Sequence, residues 1–214
     1  MVEDKDIQKT GTTTVALVCK DGIVLAADKR VTSGYLVAYK KFEKIARITD
    51  AIAVTMAGTV SDIQLLTKLI RAELQLKKIR TGRECTVKEA TNLLASLVYQ
   101  NIRKLSLIPG ISHFIVGGID NSGMYAYDVG ADGSVTLCDD YTSSGSGSVI
   151  AYGVLETLYK KDMSVDECVK LAAKAINAAV QRDIASGNGI NIVAVTKAGV
   201  KDIMSKEVAV KIEA

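Results

Sequence analysis

A chain of 214 residues with 48% hydrophobic content is long enough to bury a sizeable core, and no Pro/Gly/Ser linker splits it into two independent patterns. Its 27 basic and 24 acidic residues are spread along the chain and leave a net charge of +3, which gives no footprint for a nucleic acid. No apolar run approaches bilayer length and residues 1–10 lack the apolar centre of a secretory signal, so a soluble, cytoplasmic protein is expected, with no membrane partner.

The charged N-terminal tail ends at Gly11-Thr12-Thr13-Thr14, followed by apolar residues 15–19 and 23–27 on either side of Lys20-Asp21-Gly22. An Asp-Gly between two such runs signals a hairpin. Strands are expected next at 35–39, 44–48 and 52–57. Helical spacing then takes over: Ile63, Leu66, Ile70 and Leu74, read with Leu65, Leu69 and Leu76, predict one long helix from Ser61 to Lys78. Thr86-Val87-Lys88-Glu89 reads as a capping box opening a second helix that carries Leu93, Leu94, Leu97, Val98 and Ile102.

Strands return at 112–118, 123–128 and 134–138. A third helix is expected from Ser148 to Lys160, and Ser164-Val165-Asp166-Glu167 caps a fourth with the stripe Val169, Ala172, Ile176 and Ala179. Strands at 191–196 and 200–204 close the chain. Strand blocks thus alternate with pairs of helices, which predicts segregated α+β layers and not a parallel βαβ sheet. Many strands are apolar on both faces, so the sheets are expected to be covered on both sides.

Cys19, Cys85, Cys138 and Cys168 stand far apart and form no C-x-x-C pair, so each is read as a small buried hydrophobe and no metal site is expected. His113, the only histidine, lies in an apolar run without a nucleophile elbow and reads as a core or strand-edge residue. No phosphate-binding loop or dinucleotide fingerprint occurs, and no cofactor is expected.

Candidate chemistry begins at Thr12. A threonine hydroxyl is a poor nucleophile without a base, but cutting the Gly11–Thr12 bond would set a free α-amine, with an unperturbed pKa near ~8, beside it. The competing reading is that three threonines merely start a strand. Asp28 and Lys44, taken alone, read as a surface pair; buried together, they would change the lysine's readiness to lose its proton. Gly58 joins a strand to a helix, where a free backbone N–H could face an oxyanion. The run from Thr142 to Ser148 has linker composition, leaving a shaped loop and a flexible one both open. Asp183 ends the fourth helix against its dipole, which suggests a compensating role.

In order along the chain, Gly11-Thr12-Thr13-Thr14-Val15, Asp28-Lys29-Arg30-Val31-Thr32, Lys44 and Met56-Ala57-Gly58 resemble an archaeal-type catalytic β subunit of the proteasome core particle. The likeness continues through Val116-Gly117-Gly118-Ile119-Asp120, Gly145-Ser146-Gly147-Ser148 and Tyr152-Gly153-Val154-Leu155-Glu156, then Gln181-Arg182-Asp183 with Ser186-Gly187. It implies the four-layer αββα sandwich of N-terminal-nucleophile hydrolases, a propeptide at residues 1–11 removed by self-cleavage, and one hydrolase domain over 12–214.

The resemblance also implies roles. Thr12 would be the nucleophile and Lys44 would help deprotonate it, with Asp28 holding Lys44 and Arg30 assisting. The Gly58 N–H would receive the oxyanion, and Ser146, Asp183 and Ser186 would support the amine and a water. Val31, Thr32, Phe42, Ala46, Met56 and Val60 would form the substrate site, uncharged and suited to bulky apolar residues. Partners would be seven-membered β rings of this subunit, α-subunit rings, an ATP-dependent unfoldase and unfolded polypeptides. Two rivals stay open: a bacterial-type relative in six-membered rings, and a non-catalytic or unprocessed structural β subunit.

Overall fold

The computed structural model describes residues 11–208, so residues 1–10 of the expected propeptide lie outside the described residues. The first sheet holds β1 (Thr14–Cys19), β2 (Gly22–Asp28), β10 (Tyr141–Ser144), β11 (Gly189–Thr196) and β12 (Gly199–Glu207), in the order β10-β1-β2-β11-β12. The second holds β5 (Ile45–Arg47), β6 (Ile52–Gly58), β7 (Ser112–Asp120), β8 (Gly123–Val129) and β9 (Val135–Cys138), in chain order. A separate hairpin pairs β3 (Val31–Ser33) with β4 (Leu36–Tyr39). All these pairings are antiparallel.

The layering follows from the two-residue period of the strands. On β1 and β2, Val15, Leu17, Val24 and Ala26 pack against α3 (Ser148–Leu158) and α4 (Val165–Arg182). The alternate residues Ala16, Ile23 and Leu25 turn the other way and meet Ala53, Ile115 and Ala126 of the second sheet. That sheet's outer face, with Val54, Met56, Phe114 and Val116, is covered by α1 (Val60–Thr81) and α2 (Val87–Arg103). Helices, sheet, sheet and helices therefore stack as four layers, and β2 is buried at every position because both of its faces are covered.

Local signals set the helix ends. Both expected capping boxes form: the Thr86 hydroxyl accepts from the Glu89 N–H while Glu89 accepts from the Thr86 N–H, and Ser164 with Glu167 repeats the pattern. α1 runs on to Thr81 and stops where Gly82 turns left-handed at φ +67°, its N–H bonding the Lys78 carbonyl.

The structure corrects several expectations. Leu65, Leu69 and Leu76 are exposed, because at 100° per residue they form a second stripe away from buried Ile63, Leu66, Ile70 and Leu74. Only Cys19 and Cys168 are fully buried; Cys85 and Cys138 are partly exposed. His113 is neither a core residue nor on an edge strand: it sits half-buried on the inner strand β7, paired with Asp128. The linker-like run is partly a strand, since Tyr141–Ser144 is β10, paired with β1 through Thr14 and Ser144. β1 begins at Thr14, leaving Thr12 and Thr13 outside the strand that the triplet could have started.

Candidate active site

The ends of several elements meet at one edge of the sandwich. Thr12 precedes β1, Asp28 ends β2, Lys44 precedes β5, Gly58 ends β6, Ser146 follows β10, and Asp183 caps α4. Antiparallel pairing puts Thr14 opposite Ala27 on one side and Ser144 on the other, so both neighbouring strands end beside the threonine triplet.

Asp28 and Lys44 are not a surface pair. They are 0% and 2% exposed, and the Lys44 Nζ donates to Asp28 Oδ1 at 2.7 Å. The same Oδ1 accepts the Thr13 N–H at 2.9 Å, while Oδ2 accepts the N–H groups of Arg30 at 3.0 Å and Gly187 at 2.9 Å. Four donors on one carboxylate make its burial tolerable and fix its orientation. Burial pushes the Lys44 amine below its ordinary range; the Asp28 and Asp183 charges oppose this and Arg30 adds to it. Lys44 also reaches the Gly11 carbonyl oxygen at 3.4 Å, and the Thr12 hydroxyl reaches that same oxygen at 2.7 Å.

A second network holds the nitrogen of Thr12. Its N–H donates to Ser146 Oγ at 3.2 Å, and Ser146 donates to Asp183 Oδ2 at 2.6 Å. Ser186 also donates to Asp183 Oδ2 at 2.6 Å, so its oxygen is free to accept the Thr13 hydroxyl at 2.6 Å. The turn that delivers Ser146 is tight. Gly145 has φ +92°, and a Cβ there would lie 2.0 Å from the Thr12 carbonyl oxygen. The Asp183 that opposes the α4 dipole thus serves as the shared acceptor of two serines.

Beside Thr12 lies a small cleft lined by Val31, Phe42, Met56, Val60 and Ile63, together with Gly11, Lys44 and Gly58. Of the expected substrate residues, Val31, Phe42, Met56 and Val60 line it. Ala46 belongs to the buried cluster behind this wall, with Met56 and Ile63. Thr32 is not part of the cleft wall, but its hydroxyl accepts the N–H of Gly11, a residue that lines the cleft, at 3.1 Å. Sequence reasoning missed Ile63, although it opens the buried stripe of α1 one turn after the N-cap Thr59. It also missed Thr13, which looked like a spare member of the triplet.

A larger groove elsewhere is lined by Arg47, Asp50, Arg71, Lys78 and Glu84, but Arg47 pairs with Asp50 and Lys78 with Glu84. Among the described residues, no cluster of three or more His, Cys, Asp or Glu side chains is placed to hold a metal ion. Nor is any described helix long and apolar enough to cross a membrane.

The comparisons with known proteins decide the family. A family model described as "Proteasome subunit" matches residues 8–195. The chain belongs to the proteasome subunit family. It is 42% identical to a "Proteasome subunit beta" of Ferroglobus placidus over 213 residues, covering 100% of this chain and 99% of that protein. Proteins of the same description from Methanoregula boonei (44% over 197 residues, 92% and 91% covered) and Methanocaldococcus jannaschii (42% over 204 residues, 95% and 89%) are also similar. Membership in the proteasome family accounts for the four layers and implies peptidase activity and assembly into a core particle.

Proposed function

We propose that this chain is a threonine endopeptidase subunit of the proteasome core particle, with residues 1–11 as a self-removed propeptide and 12–214 as one hydrolase domain. The observation that carries the reading is the convergence of a buried, Asp28-held Lys44 amine and the Thr12 hydroxyl on the Gly11 carbonyl. In the first reaction the Thr12 oxygen attacks the Gly11 carbonyl carbon, the C–N bond breaks, and an ester links Gly11 to Thr12. Water hydrolyses that ester and leaves the Thr12 α-amine free. Gly11, with no side chain, keeps the carbonyl open to attack.

On a peptide substrate the same hydroxyl attacks, and its proton passes to the new α-amine with help from Lys44. Ser146, with Asp183 and Ser186 behind it, holds that amine. The Gly58 N–H faces the oxyanion, a donor worth about 3–4 kcal/mol of transition-state stabilisation in comparable sites. The leaving amine takes the proton, and water resolves the acyl-enzyme ester. The apolar cleft favours bulky apolar residues before the cut bond, a chymotrypsin-like preference. Unfolded chains, fed by an ATP-dependent unfoldase through α rings into rings of seven β subunits in the cytoplasm, are the expected substrates.

Intact-mass measurement of the assembled particle, together with fluorogenic peptides, tests the reading. A first residue at Thr12 and faster cleavage after Leu or Tyr than after Arg or Glu are expected. Persistence of Met1 after assembly would instead place the chain among structural β subunits, and a preference for Arg or Glu would sink the specificity assignment.

A further inference from the structure

Next to the Asp28–Lys44 pair lies a second ion pair of opposite polarity. Lys29 is 3% exposed, and its Nζ donates to Glu43 Oε1 at 3.0 Å and to Ser205 Oγ at 2.7 Å. The other oxygen of Glu43 accepts the Asn191 side-chain amide at 2.7 Å. Asn191 and Ser205 face each other across β11 and β12, and Asn191 also lies opposite Ala27 on β2. The first sheet therefore grips both oxygens of a residue that belongs to the irregular segment leading into the second sheet. The grip has two backbone companions: the Phe42 N–H donates to the Lys29 carbonyl at 3.0 Å, and the Lys44 carbonyl accepts the Met56 N–H at 2.8 Å.

The neighbours of Glu43 are what make this grip consequential. Phe42 lines the cleft and Lys44 meets Asp28 and the Gly11 carbonyl. Asp28-Lys29 and Glu43-Lys44 face each other as two adjacent dipeptides of the same charge order, so the pairs cross: 28 with 44, 29 with 43. Resting on the Thr12 peptidase reading, we propose that the Lys29–Glu43–Asn191 clamp is a positioning device for segment 42–44. It sets the reach of the Lys44 amine and the depth of the Phe42 wall together. Lys29 is buried, and its ammonium is held by Ser205 and by Glu43, whose own side chain is 57% exposed, so removing Glu43 takes the counter-charge from Lys29 and releases segment 42–44 from its side-chain tie to the first sheet.

The test uses assembled particles carrying Glu43→Ala, the charge swap Lys29→Glu/Glu43→Lys, and Thr12→Ala as a control. A small displacement of a reacting group is enough to cost about tenfold or more in rate. Glu43→Ala is therefore expected to lower kcat on a Tyr peptide by about tenfold, shift the acid limb of its pH profile, and bring the Tyr/Ala preference closer to one. The swap, in which the Asn191 amide can turn to present its oxygen, is expected to restore most of all three. Unchanged kcat and preference in Glu43→Ala would overturn the clamp, as would a loss that the swap does not recover and that leaves preference and pH profile untouched. An electron-microscopy map of the Glu43→Ala particle reads the clamp without relying on hydrolysis: a displaced Phe42–Lys44 segment supports it, and an unmoved one refutes it. Failure of the unmutated particle to hydrolyse, or activity surviving Thr12→Ala, would count against the peptidase reading alone.

Discussion

Lys44 and Thr12 converge on one atom. The amine of the first lies 3.4 Å and the hydroxyl of the second 2.7 Å from the Gly11 carbonyl oxygen. The amine is thus within reach of the group that is attacked, and its burial makes its proton easier to lose, although the Asp28 charge opposes this.

Replacing Lys44 with Met should abolish processing and lower peptide hydrolysis by about 100-fold or more, measured by intact mass and by kcat. It should also destabilise the subunit by about 3–5 kcal/mol, because Asp28 is left buried without its cation.

Lys44 also predicts a pH effect on stability. Its folded pKa lies below the unfolded value of 10.5, so between those two values the unfolded chain binds more protons than the fold. Stability from this group is therefore present above the unfolded value and is lost as pH falls through the folded one. Over that window the change of Tm with rising pH should be less positive in Lys44→Met than in the unmutated chain; an unchanged slope would refute the assignment.

Gly58→Ala should damage both fold and activity. Gly58 has φ +124°, and a Cβ there would come within 2.3 Å of the Ile111 carbonyl oxygen, which also accepts the Thr59 N–H. Strain of about 1–3 kcal/mol is expected from the backbone alone. Thermal unfolding and kcat should fall together; a fully active, unshifted variant would remove Gly58 from the oxyanion site.

Asp183→Asn leaves the serines a neutral acceptor in place of a carboxylate. We expect kcat to drop by about 10- to 100-fold with KM little changed, since the network holds the Thr12 nitrogen and not the substrate side chain. A rise in KM at constant kcat would contradict that placement.

Thr86→Ala offers a contrast far from the site. Loss of its capping bond should cost about 1 kcal/mol, lowering Tm by about 2–4 °C. Assembled particles should keep their hydrolysis rate; a lowered rate would mean that α2 reaches the site.

The succession of strand blocks and helix pairs is legible because short apolar runs, the Asp21-Gly22 turn and the two capping boxes are local signals. The burial of Asp28 and Lys44 was not. Each sits among charged neighbours, Lys29 and Arg30 beside one and Glu43 beside the other, and their burial depends on partners such as Gly187 far along the chain. Composition leaves the run from Thr142 to Ser148 open between a shaped and a flexible loop and does not show that Thr142, Ser143 and Ser144 belong to β10, where pairing with β1, not apolarity, holds them. Helical spacing alone does not say which of the two apolar faces of α1 meets the sheet, so Leu65, Leu69 and Leu76 cannot be told from the buried stripe by sequence. The family motifs carried most of the site, whereas Ile63, Thr13 and the Glu43 clamp came from geometry.

The Gly11 N–H held by Thr32 has a temporal consequence. On the proposed reading, Gly11 while attached fills the position beside Thr12 that an incoming peptide's acyl residue must take. On the proposed reading each subunit is its own first customer and its own plug. Competence then arrives once, irreversibly, and separately at every site, so a particle's history of self-cutting, and not its concentration, determines how many of its sites are open for work.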